Sequence, residues 1–190
     1  MLMARTLWEA DVYVALKRAE RGPEPGQRLT PAAPIARGEN LAEGPDAWTY
    51  SSPVGEITIP YVSEKTANQT GMHFGLGRSR LVDPAQWVIV AHQYADDALV
   101  DAMNYDGEPG DKRAGIELSW ELAAEAINQA VQFLPADAVE VPDSEIWTEF
   151  GTNSKAAHPG MLHRARLEED LEYFTEALAN FRALHGPHLR

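Results

Sequence analysis

Residues 22–45, GPEPGQRLTPAAPIARGENLAEGP, hold five prolines and four glycines in 24 positions. Proline lacks the N–H that a helix or ladder needs and clashes with the preceding turn, so this stretch propagates neither a helix nor a central strand. It also has few large apolar side chains to bury. The chain is therefore divided: residues 1–21 lie ahead of an arm, 22–46, and a folded body follows it. The arm either crosses the surface as an irregular loop or wraps a partner.

Ahead of the arm, Thr6 and Glu9 have the spacing of a capping box, and Trp8, Val12, Leu16 and Ala19 recur at helical spacing, which predicts an N-terminal helix ended by Gly22-Pro23. Behind it, residues 47–150 read as an α+β body. Two strands flank Ser-Pro-Val-Gly, with Ile57, Ile59 and Tyr61 alternating on one face, and Pro60 marks an edge strand. The polar run SEKTANQTG predicts a loop, MHFGLG a short strand, and Asp83-Pro84 the cap of a helical turn. QWVIVAH reads as the most buried strand, whereas DDALVDAM fits a helix or a strand equally. Ser119 caps a helix over 120–134 that Pro135 stops. Residues 151–190 are a linker and a long helix, on which Leu167, Leu171, Phe174, Leu178 and Phe181 repeat at heptad spacing. That seam is either a homodimer contact or a surface that packs on the body. The expected fold class is α+β: a small, mainly antiparallel sheet with packed helices, an N-terminal helix and a long C-terminal helix.

Hydrophobic residues make up 44% of the 190, enough to build a core, so the chain is globular. It has no cysteine, which excludes disulfides, thiolate catalysis and cysteine-based metal sites. Charges at Arg5, Glu9, Asp11 and Lys17 leave no apolar core for a signal peptide, and the longest apolar run, Trp87 to Ala91, falls far short of the roughly 20 residues of a membrane span. A cytoplasmic location is expected.

The formal net charge is −13. Between Val82 and Glu149 there are 15 acidic residues against Lys112 and Arg113, a balance of −13, so the remaining 14 acidic and 14 basic residues cancel. This concentration repels nucleic acid and acidic lipid and accelerates encounter with a basic protein. On this reading Asp96, Asp97, Asp101, Asp106, Glu108 and Asp111 form a partner-binding face, with Tyr105 and Trp147 as aromatic anchors. The same acidity also serves simple solubility.

No strong catalytic motif is present, and no cofactor or metal is expected. With Gly107 at the sixth position of a calcium loop, Ala102 falls at the first and Arg113 at the twelfth, where a glutamate belongs. A looser cation site would use Asp96, Asp97, Asp101 and Asp106. HFGLGRSR, His73 to Arg80, lacks the Gly-Lys-Ser/Thr of a phosphate loop and carries Arg80 where a dinucleotide fingerprint has its third glycine. His158 and His163 flank Pro159-Gly160 and share no helical face. The catalytic candidates are therefore His92 with Asp96 or Asp97, a histidine beside carboxylates at the end of the expected strand.

FGLGR (Phe74 to Arg78), LSWELAAEAINQAVQFLP (Leu118 to Pro135) and Ile146-Trp147 follow one another in an order that resembles the Imm1-type immunity proteins of bacterial polymorphic toxin systems, over about 75 residues. The resemblance implies an intracellular inhibitor that binds its toxin by surface complementarity and has no catalytic residues. Two other classes stand beside it: a structural or assembly protein, of phage or accessory type, that self-associates through the arm and last helix, and a small enzyme or ligand-binding domain built on His92.

Overall fold

The computed structural model describes residues 2–22, 40–108 and 110–186, so most of the arm, residues 23–39, lies outside the described residues. The fold is α+β, with a four-stranded mixed sheet at one side of a helical body. Strands β1 (Leu2–Met3), β2 (Leu41–Glu43), β3 (Ala47–Ser52) and β4 (Gly55–Pro60) stand in the order β1-β4-β3-β2, with β1 parallel to β4 and the other pairs antiparallel. The two-residue turn at Pro53-Val54 sets the hairpin register, placing Tyr50 opposite Ile57 and Trp48 opposite Ile59. Tyr50, Ile57 and Ile59 are buried, whereas the interleaved Thr49, Thr58 and Pro60 are only partly covered.

Helix α1 (Leu7–Glu20) packs against β4, and its Val12, Val14 and Leu16 are buried in the core. Its start is as expected: the Thr6 hydroxyl accepts the Glu9 N–H at 3.1 Å. The Glu9 carboxylate, itself buried, takes the Arg5 N–H and guanidinium and not the Thr6 N–H. Pro60 does not mark an edge, because β4 lies between β1 and β3. It is the last residue of β4, beyond Ile57 and Thr58 where the two-residue β1 pairs, so its missing N–H costs the ladder nothing.

Three further readings give way, two of them to helices. SEKTANQTG is not a loop but the body of α2 (Tyr61–Thr70), which buries only Ala67 and ends at Gly71 in the left-handed conformation (φ 69°). MHFGLG forms no strand. Its backbone is claimed by side chains: the His73 and Phe74 N–H groups donate to Glu125, and the Gly75 carbonyl accepts from Gln129 Nε2 at 3.1 Å. QWVIVAH lies inside α3 (Pro84–Met103), which begins with a complete capping box between Asp83 and Gln86. The first half of α3 is buried on nearly every side, through Trp87, Val88, Val90, Ala91 and Tyr94, so the run shows no amphipathic period.

Helix α4 (Asp111–Val131) starts two turns before Ser119, and the buried Arg113 in its first turns is satisfied by Glu117 and by the carbonyls of His185 and Gly186. Small residues, Ala91, Ala95 and Ala98 on α3 and Ala123, Ala126 and Ala130 on α4, are buried and let the two helices lie close along their length. The expected linker after residue 151 is the helix α5 (Glu149–Ala157), capped by Thr148. Last comes α6 (Arg164–His185), which packs along α4. The heptad seam is used within the chain: Leu167, Phe174 and Phe181 are buried, and Leu171 and Leu178 pack against the same core. Among the described residues no helix is long and apolar enough to cross a membrane.

Candidate partner-binding groove

Many carboxylates of the acidic third are engaged in hydrogen bonds and ion pairs within the fold. Asp83 is fully buried and accepts from Gln86 N, Thr148 N and Thr148 Oγ. Glu125 holds the 73–74 backbone. Glu140 and Asp143 flank Lys155 at 2.7 and 2.6 Å, and Glu145 pairs with Arg78. Glu117 joins α4 to α6 through Arg182 at 2.8 Å and to its own helix through Arg113 at 2.9 Å. Burial alone would raise the Glu117 carboxyl; the Arg182 and Arg113 guanidinium groups outweigh it and hold it below the ordinary glutamate range. Arg182 is pushed up in return, chiefly by its hydrogen bond to Glu117.

The residues expected to form one face divide. Asp96, Asp101, Asp106, Glu108 and Asp111 are exposed, on the second half of α3, the turn after it and the first turn of α4; Asp97 beside them is half-buried. Tyr105 is not a free anchor: its ring packs on Phe181 (5.6 Å) and His185 (4.8 Å), and its hydroxyl donates to the Glu108 carbonyl. Trp147 is exposed but belongs to the opposite end of α4. It lies 5.8 Å from Phe133, which Arg78 covers at 4.6 Å, and the 21 residues of α4 put that end about 30 Å from Asp111. Among the described residues no three His, Asp or Glu side chains converge as a metal ion requires, Asp96, Asp97, Asp101 and Asp106 included.

His92 lies in the middle of α3, not at the end of a strand, and its carboxylate is neither Asp96 nor Asp97. Its Nε2 is 3.1 Å from Oδ2 of Asp170 on α6, and the other oxygen of that buried carboxylate takes Arg166 at 2.9 Å. The imidazole also meets Phe174 edge-on at 5.6 Å. Among the described residues no serine, threonine, cysteine or lysine lines the space around this pair, so no aliphatic hydroxyl, thiol or amine stands beside the imidazole. It works as a tie between α3 and α6.

That tie sits in the floor of a groove. Helices α3 and α6 both lie along α4, and between them a space of about 470 Å³ opens over Trp120 and Phe174. Leu99 on one wall and Tyr173 on the other are half exposed, at 46% and 54%. The rim carries Asp96 from α3 and Glu169, Glu172 and Glu176 from α6. The basic side chain among them, Arg166, already bonds Glu169 and Asp170. A larger trough of about 1030 Å³ shares His92, Arg166, Glu169 and Asp170 with this groove and runs on toward Val88, Ile89 and Met161.

The α6 half of this site lies beyond the acidic run that ends at Glu149, on a helix whose strongest periodic signal is its apolar seam. Glu169, Glu172, Tyr173 and Glu176 recur at three- and four-residue spacing on the helical face beside that seam, which is the signal that finds them. The chain matches no protein-family model, no curated protein and no solved structure at a significant level.

Proposed function

We propose that this protein is a non-catalytic acidic binding protein that engages a basic protein partner, acting in the cytoplasm and most concretely as an immunity-type inhibitor. One observation carries the reading: exposed carboxylates of α3 and α6, Asp96, Glu169, Glu172 and Glu176, rim a groove with an apolar floor, and further exposed carboxylates follow on α3 and the turn after it. Acidic side chains steer a basic surface into encounter, and a few apolar contacts at the centre then hold it. The resemblance of the motif order to that of immunity proteins favours an inhibitor over other acidic binders. The His92–Asp170 pair, whose carboxylate is also held by Arg166, ties α3 to α6 with no serine, threonine, cysteine or lysine beside it among the described residues, which favours binding over catalysis.

The test is to express the chain together with the product of the gene next to its own and to score growth. Rescue from a toxic product, lost when Asp96 and Asp101 are both changed to lysine, is the expected result. An adjacent product that is not toxic and does not bind the chain overturns the inhibitor reading.

A further inference from the structure

Resting on the reading above, we propose that the groove between α3 and α6 receives an amphipathic, basic α-helix of the partner protein. The walls decide between a helix and an extended peptide. An extended peptide draws its affinity from main-chain hydrogen bonds to an open sheet edge. Here both walls and the floor are helices, α3, α6 and α4, whose backbone groups bond within themselves. The occupant must therefore satisfy its own backbone, and a helix does so.

The side chains fit such a guest. On α3, His92, Asp96 and Leu99 recur at four and three residues; on α6, Glu169, Glu172, Tyr173 and Glu176 recur at three- and four-residue steps. Two ridges of this spacing over a recessed floor accept the ridge of a third helix. From Arg166 to Glu176 the α6 wall runs about 15 Å, room for roughly three turns. Leu99 and Tyr173 meet the guest's apolar stripe, and the carboxylates of Asp96, Glu169, Glu172 and Glu176 stand where Lys or Arg would flank it. Continuity with the trough toward Val88, Ile89 and Met161 extends the apolar track past the acidic rim.

The experiment uses the full chain and two labelled Leu/Lys peptides of about 15 to 18 residues, one patterned as an amphipathic helix and one scrambled at equal composition, with fluorescence anisotropy as the readout. The amphipathic peptide is expected to bind at least about tenfold more tightly than its isomer. Leu99→Asp and Tyr173→Ala, both at exposed positions that leave the circular dichroism unchanged, should remove that advantage. The pair Glu172→Lys with Glu176→Lys should weaken both peptides, and Asp106→Lys with Glu108→Lys should spare the preference for the amphipathic one. Equal binding of the two peptides, or indifference to Leu99→Asp and Tyr173→Ala, overturns the helix groove and leaves the acidic-face reading standing. Binding of neither peptide at low salt overturns both.

Discussion

Replacing Gly151 with alanine should destabilise this protein, although alanine inside a helix ordinarily gains about 1 kcal/mol over glycine. Gly151 is buried in the first turn of α5, and a Cβ placed there would lie 2.5 Å from Oδ2 and 2.7 Å from Oδ1 of Asp83. Asp83 has little freedom to retreat. It is fully buried, caps α3 through the Gln86 N–H at 2.9 Å, and receives the Thr148 N–H at 3.1 Å and hydroxyl at 2.5 Å. Losing the cap costs about 1 kcal/mol, and weakening hydrogen bonds to a buried carboxylate costs about 1.5–3 kcal/mol each. Against the propensity gain, the net loss is about 2–4 kcal/mol, or roughly 5–15 °C in melting temperature for a chain of this size. Gly115 in α4 is the internal control: it is exposed, its φ is not positive and an added Cβ meets nothing within 4 Å, so Gly115→Ala should stabilise by up to about 1 kcal/mol. Urea denaturation of the two variants beside the parent reads both signs. A Gly151→Ala protein as stable as the parent, or more so, would refute the reasoning that one carboxylate joins the starts of α3 and α5.

Glu117 supplies a pH test. Its folded carboxyl lies below the unfolded value near 4.5, so its contribution is complete above that pH and is lost as pH falls through the folded value. The parent should therefore lose stability below about pH 4.5 more steeply than Glu117→Gln, which at neutral pH should be weaker by about 2–3 kcal/mol; parallel acid limbs would contradict the Arg182 and Arg113 pairing. Phe174→Ala, at a side chain 2% exposed between Trp120 and His92, should cost about 3–5 kcal/mol in denaturant, and a loss under about 1 kcal/mol would show that the groove floor is not packed as described. Trp147→Ala should cost only about 1 kcal/mol and leave affinity for the amphipathic basic peptide unchanged, because Trp147 stands at the far end of α4. A large drop in that affinity would return Trp147 to the binding face.

Elements whose sequence signals are local were legible. The Thr6 cap with its apolar row, the hairpin around Pro53-Val54 and the apolar seam of α6 all form where spacing and turn chemistry put them. Helix α3 was hidden by its own burial: with Trp87, Val88, Val90 and Ala91 all enclosed, no polar face breaks the run, and the informative signal was the Asp83-Pro84-x-Gln86 start. Helix α2 failed in the opposite way, since a segment that buries only Ala67 has no apolar stripe to read. Glycine at 151 made α5 look like a linker, while its small size serves the close approach to Asp83. The site was legible only on its α3 side. Asp170, the partner of His92, is 78 residues distant, and no local pattern pairs them.

The most direct test of the central claim is the association rate of the amphipathic basic peptide, followed by stopped-flow fluorescence as salt is raised. An acidic groove predicts a rate that falls steeply with ionic strength, and a shallower slope when Asp96 and Glu172 are changed to lysine. A rate independent of salt, or a slope that these two substitutions leave untouched, contradicts it.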